Sequence, residues 1–157
     1  VKNSEILAGA VYDVMRDVIY TAEKGMGAFS NGKPISVNNN SELNTGFLVT
    51  GFPYDVRENP EYTIERFNAF LTHSRAVRRL GSAAIDFCYV AEGVLDGFWE
   101  VFLNPWDRCA GKLICEEAGG LVTDFTGKKS DINEPRVLAT NGKVHQEMIE
   151  ILKLPLK

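Results

Sequence analysis

The chain has 157 residues, with 17 Lys and Arg against 21 Asp and Glu and a formal net charge of −4. That length suits one globular unit able to remove about 68–70% of its unfolded surface from water. No basic run is long enough to follow a phosphate backbone, which argues against nucleic acid as a partner. No apolar run approaches the roughly 20 residues of a membrane span, and the N-terminus lacks the pattern of a signal peptide. The chain therefore reads as soluble and cytoplasmic, with no membrane partner.

The chain opens at Val1 with neither an initiator Met nor a helix cap, which reads as a chain entered midway. Ile6 to Tyr12 and Val18 to Ala22 are apolar, β-rich runs separated by Asp13 to Asp17, the pattern of an antiparallel hairpin. Its edge is expected to need a partner strand. Lys24-Gly25-Met26-Gly27-Ala28-Phe29 imitates a dinucleotide-binding glycine loop. Ser30 stands at the third glycine position, however, and Asn31-Gly32 with Pro34 predicts a tight turn where that loop needs a helix. Nucleotide binding there is rejected.

Asn38 to Asn44 is a polar connector, and Gly46 to Thr50 reads as a buried strand, so the substructure changes near residue 45. Gly51 to Asp55 is a loop, because Pro53 cannot continue a central strand. Glu61 to Leu71 carries Ile64, Phe67, Phe70 and Leu71 at helical spacing, a stripe that fits core packing. Arg75, Arg78 and Arg79 flank a short strand that ends at Gly81-Ser82. Arginines so placed suit either a phosphate or an edge ion pair. Ala83 to Ala91 is apolar almost all round, the mark of a helix buried on most faces.

Val94 to Phe102 predicts a strand, and Asn104-Pro105 leads from it into a helix that begins at Trp106-Asp107 and stops at Gly119-Gly120. Glu100 lies near the strand end and Asp107 in the first helical turn. In open α/β sheets ligands collect beyond the carboxyl ends of strands, so both acids are expected to face one crevice. Spacing alone also allows Asp107 to be no more than a helix cap. Leu121 to Asp124 and Arg136 to Ala139 are further strands, and Val144 to Leu152 is a final helix. Strands alternating with helices from Gly46 onward predict parallel pairing. His73 and His145 have no second ligand at metal spacing and are assigned no catalysis. Cys88, Cys109 and Cys115, an odd number among apolar neighbours, are expected to be buried free thiols.

Gly81-Ser82-Ala83-Ala84, Asp96-Gly97-Phe98-Trp99-Glu100, Pro105-Trp106-Asp107, Ala110-Gly111 and Glu117-Ala118-Gly119-Gly120 follow one another at a distinctive spacing. They resemble the C-terminal signature of the inositol monophosphatase family, metal-dependent phosphatases of small sugar or polyol phosphates. The likeness runs from Gly9 to Leu152.

The resemblance implies the C-terminal part of a layered αβαβα sugar-phosphatase fold. Residues 1–45 would close an N-terminal antiparallel-sheet half, and residues 46–157 would form an α/β domain with a mostly parallel sheet flanked by helices. It further implies that Asp107 is a Mg²⁺ ligand, that Glu100 accepts hydrogen bonds from substrate hydroxyls, and that Ser82 and Ala83 also contact substrate. A homodimer is implied for the complete enzyme.

Magnesium usually takes one or two protein carboxylates together with waters and substrate phosphate, and two ions can serve nucleophile and leaving group together. The family's remaining metal carboxylates belong to upstream motifs that this chain does not contain. Glu116 and Glu117 cannot replace them, since they lie roughly 13–15 Å along the helix from Asp107 at 1.5 Å per residue. The chain alone is accordingly expected to be inactive. Alternatives are a fructose 1,6-bisphosphatase or nucleotide-bisphosphate phosphatase of the same superfamily, or an inactive binding or dimerisation module.

Overall fold

The computed structural model describes residues 5–153; Val1 to Ser4, where the chain opens, and Leu154 to Lys157 lie outside the described residues. The first sheet is an antiparallel meander of β1 (Ala8–Asp13), β2 (Val18–Glu23), β3 (Ala28–Ser30) and β4 (Lys33–Ile35), paired in that order. The predicted hairpin is β1–β2, with Ala8 opposite Glu23 and Asp13 opposite Val18. Asn31 and Gly32, both at positive φ, turn β3 into β4. The predicted turn is thus the third hairpin of the same sheet, after β1–β2 and β2–β3.

The second sheet has the order β6-β5-β7-β9-β8, built from β5 (Phe47–Thr50), β6 (Ala76–Arg78), β7 (Gly97–Val101), β8 (Leu121–Thr123) and β9 (Arg136–Thr140). β5 pairs parallel with β6 and β7, whereas β9 lies antiparallel between β7 and β8. The sheet is therefore mixed. Four strands share one direction, as the alternation with helices predicts, and β9 is the reversed one. No helix separates β8 from β9, so the chain returns directly and pairs antiparallel.

Among the described residues four α-helices complete the fold: α1 (Thr63–His73), α2 (Ala83–Ala91), α3 (Pro105–Glu117) and α4 (His145–Leu152). Successive residues of a strand face opposite sides, and the two cores follow that alternation. Val49, Phe98, Val137 and Ala139 point toward α2 and α3. Leu48, Trp99 and Leu138 point toward Phe70 of α1 and Met148 and Ile151 of α4. The helices α2 and α3 also carry the antiparallel sheet on their other side. The described residues form four layers, antiparallel sheet, helix pair, mixed sheet and helix pair.

Small residues set how closely these layers approach. A side chain at Gly111 of α3 would meet Phe87 Cβ of α2 at 2.7 Å, and one at Gly9 of β1 would meet Ala110 Cα at 3.0 Å. The Ala110-Gly111 pair of the motif is thus a packing feature on both faces of α3. Arg108, wholly buried beside it, donates to the Glu134 carbonyl and to Ser130 Oγ and ties the β8–β9 connection to α3. Cys88 and Cys115 are buried, as expected, while Cys109 is only half-buried. Among the described residues no helix is long and apolar enough to cross a membrane.

Candidate active site

The carboxyl end of β7, the N-terminus of α3 and the N-terminus of α2 meet at one crevice of about 640 Å³. Ser82, Ala83, Glu100 and Asp107, the four residues singled out by sequence, all line it. Phe102 causes this convergence. Its backbone sits in the left-handed region at φ 61, and its N–H donates to the Pro135 carbonyl at 2.6 Å. A non-glycine residue held there costs roughly 1–2 kcal/mol, and the turn it makes carries the chain from β7 into α3.

Pro105 occupies the first helical position of α3, where a missing N–H is harmless. The Asp107 N–H donates to the Asn104 carbonyl at 3.0 Å, and the Asn104 N–H donates to Asp107 Oδ2 at 3.3 Å. Asp107 therefore does cap its helix, through Oδ2, while the residue also lines the crevice. The start of α2 is built differently. Gly81, at φ 93, swings the chain into the helix, and Ser82 at the N-cap makes no side-chain capping bond. The first-turn N–H groups of α2 thus open onto the crevice without a capping side chain, the condition in which a helix N-terminus receives an anion or a hydroxyl oxygen.

Glu100 projects across the floor toward Gly51. A Cβ at Gly51 would overlap both carboxylate oxygens of Glu100, so the glycine forms the seat for this side chain. Burial, reinforced by the Asp107 charge and partly offset by Arg79, raises the Glu100 pKa to about 7. Arg79 is the arginine of its trio that lines the crevice, with its guanidinium 5.6 Å from the Phe52 ring centroid. Arg75 lies over Phe47 instead, and Arg78 Nη1 donates to the Val77 carbonyl at 3.3 Å.

Two crevice residues escaped sequence reasoning. Gly51 looked like part of an ordinary loop, and only the position of Glu100 reveals its purpose. Asp86 lies in the apolar helix α2, is 1% exposed and lines the same crevice. Its signal was available as one acid within Ala-Ala-Ile-Asp-Phe-Cys, a stretch with no other polar side chain.

The other acids of α3 are engaged. Glu116 pairs with Lys112, and Glu117 accepts from the N–H groups of Gly25 at 2.8 Å and Gly27 at 2.9 Å. The glycine turn that imitates a phosphate loop therefore holds the chain's own carboxylate. Among the described residues no three His, Cys, Asp or Glu side chains gather as a metal cluster. The histidines stay outside the crevice, His145 between Thr123 Oγ1 at 2.9 Å and Thr140 Oγ1 at 2.8 Å.

The model of the inositol monophosphatase family matches residues 1–153. The chain belongs to that family. It is 44% identical over 145 residues to the inositol-1-monophosphatase of Synechocystis sp., covering 92% of this chain and 50% of the relative. It is 39% identical over 139 residues to the Nus factor SuhB of Escherichia coli, covering 88% of this chain and 52% of the relative. The chain thus spans about half the length of the curated relatives it matches. Among solved structures, the inositol monophosphatase from Anabaena superposes with a TM-score of 0.90 at 42% identity, over 93% of this chain and 58% of that one. SaIMPase-II with bound inositol monophosphate superposes with a TM-score of 0.82 at 32% identity, over 94% of this chain and 57% of that one. The layered architecture is the family's, and the mixed sheet with its reversed β9 is the form it takes here.

Proposed function

We propose that this chain is the C-terminal portion of a Mg²⁺-dependent phosphatase that hydrolyses inositol monophosphate or a related sugar or polyol phosphate monoester. The observation that carries the reading is the convergence of Glu100, Asp107 and the uncapped start of α2 on one crevice. Asp107 would be this chain's ligand to Mg²⁺. The ion, when bound, supplies charge neutralisation at the phosphoryl oxygens and an activated water. One carboxylate fits one edge of such a site and does not complete it, so the remaining ligands are assigned to other segments of a longer protein.

The chain's own residues have the task of recognition. Ser82 and Ala83 offer first-turn N–H groups to substrate oxygens. Glu100, when ionised, accepts from a hydroxyl, and its charge disfavours a second phosphate at that place, which favours monoesters of polyols. Arg79, fixed over Phe52, brings a positive charge to the same crevice. Half-buried walls at Phe52 and Pro53 limit water on that side.

The test is to assay the purified chain with Mg²⁺ and inositol monophosphate, and then to assay it joined to the upstream segment of its own reading frame. Since a relative has been seen with 2'AMP bound, the panel of phosphates includes it. The chain alone is expected to be inactive, and the joined protein active. Hydrolysis by the chain alone, abolished by Asp107→Asn, would overturn the divided site. A joined protein inactive on every phosphate of the panel would overturn the phosphatase reading.

A further inference from the structure

Burying a carboxyl group in an apolar helix is costly unless a donor meets it, and this chain shows how that is normally arranged. Asp96 Oδ2 accepts the Phe47 N–H at 2.7 Å, although its Oδ1 is left without a partner, and Asp13 accepts from the Met15 and Arg16 N–H groups at 3.1 and 3.2 Å. Among the described residues Asp86 has no such partner. It is 1% exposed, its Oδ1 is sealed without a hydrogen bond, and Phe87 and Cys88 beside it are fully buried. Nothing in the packing of α2 needs an acid at this position. An apolar residue of similar size would remove the penalty, so its presence calls for a role at the crevice that it lines.

The charged groups that share this crevice with Asp86 are Asp55 from the loop after β5, Glu100 from β7, Asp107 from α3 and Arg79 from the segment after β6. Burial first, and the Glu100 charge second, raise the Asp86 pKa to about 7. Glu100 is raised to a similar degree, but it is less deeply buried and Arg79 partly offsets its rise, whereas no cation acts on Asp86; of the two carboxyl groups Asp86 is therefore the one to keep its proton, and a neutral carboxyl owns one O–H. The crevice therefore presents two different groups, an acceptor at Glu100 and a donor at Asp86. Gly81, Ser82 and Ala83 keep the approach to them unobstructed by large side chains.

We propose that Asp86 is a specificity-determining residue, its carboxyl O–H donating to one hydroxyl oxygen of the bound polyol or sugar while Glu100 accepts from the neighbouring hydroxyl. Together they read a vicinal diol, in which one oxygen accepts a hydrogen bond and the adjacent O–H donates one. The proposal rests on the reading of the crevice as a sugar- or polyol-phosphate site and deepens it. A site that hydrogen-bonds a hydroxyl rejects the analogue lacking it far more strongly than an apolar pocket rejects an extra group.

Two measurements test it. In the joined protein, Asp86→Leu is expected to raise KM for inositol 1-phosphate about tenfold or more, with kcat changed by no more than a few-fold. It should also abolish the discrimination against one singly deoxygenated inositol phosphate. Asp86→Asn, whose amide keeps a donor of the same size, should hold both quantities within about threefold of wild type. Unchanged discrimination in Asp86→Leu, or equal damage from Asn and Leu, would overturn the assignment.

The second measurement needs no turnover. With ¹³C-labelled aspartate in the joined protein, the Asp86 carboxyl resonance, identified by its loss in Asp86→Asn, is expected to shift on addition of myo-inositol at pH 6. No shift up to the solubility limit would overturn the role of Asp86 whatever the joined protein hydrolyses. A shift accompanied by failure to hydrolyse any phosphate would sink the phosphatase reading alone.

Discussion

Two glycine-led turns in this chain look alike in sequence and end in opposite conditions. At Gly25–Gly27 the backbone N–H groups receive the Glu117 carboxylate, and the turn is closed to any ligand. At Gly81–Ala83 the helix α2 begins without a capping side chain, and among the described residues the buried Asp86 Oδ1, at the same crevice as Glu100, has no hydrogen-bonding partner. The first turn joins the antiparallel sheet to α3; the second opens onto the crevice. Folding satisfies polar groups wherever it can, since each one left buried and unpaired costs about 1–3 kcal/mol. Groups that remain unsatisfied together, around one cavity, mark where a ligand is meant to complete them.

The comparison breaks most decisively at Asp107. If Asp107 holds Mg²⁺ as proposed, Asp107→Asn in the joined protein is expected to lower turnover by orders of magnitude and to raise the Mg²⁺ requirement, because a charged hard ligand would become neutral. The amide oxygen still accepts the Asn104 N–H, so the melting temperature should barely move. Wild-type turnover with altered stability would return Asp107 to helix capping alone.

His145 belongs to the satisfied side of the comparison and yields a pH dependence of known sign. Burial lowers its pKa to about 4, while the unfolded chain takes up that proton near pH 6.5. Between those values the unfolded state binds more protons, so stability falls as pH drops from about 6.5 to 4, by up to about 3 kcal/mol. Denaturant melts at pH 7 and pH 4.5 should show this limb in wild type and a flatter one in His145→Gln.

Glu117→Ala should cost about 1–2 kcal/mol by leaving the Gly25 and Gly27 N–H groups without their acceptor, with no change in KM. A change in substrate affinity would mean that the two turns are not as separate as the contacts indicate. The smallest effect is expected at Gly51. A Cβ there displaces the Glu100 carboxylate, so Gly51→Ala should shift relative KM values among sugar phosphates several-fold and leave stability nearly unchanged. Unaltered selectivity would show that the seat of Glu100 is unimportant.

Legibility in the sequence followed the range of the interactions. The hairpin, the buried strands and all four helices were readable, because period-2 and period-3.6 apolar patterns are local consequences of backbone geometry. The four candidate site residues were singled out from motifs, and they line one crevice. What was not readable was how the strands and acids would pair across the chain. The direction of β9 follows from the absence of a helix after β8 and from its insertion beside β7, a contact between residues 97–101 and 136–140. Asp86 passed for a minor exception in an apolar helix until its neighbours across the crevice were visible. Gly51 gained meaning only from Glu100, 49 positions away in the chain.

By itself, then, the sequence determined the elements, the family signature and which acids stand at strand and helix ends, since spacing along the backbone decides those. Only the tertiary structure decided which acids are satisfied and which are left open. Glu117 and Glu100 are both acids within the motif. One finds two N–H donors contributed by a distant turn, and the other finds a glycine seat, a second carboxyl group and a cavity. Hydrogen-bond satisfaction depends on what lies within about 3 Å in space, and no pattern along the chain encodes that distance directly.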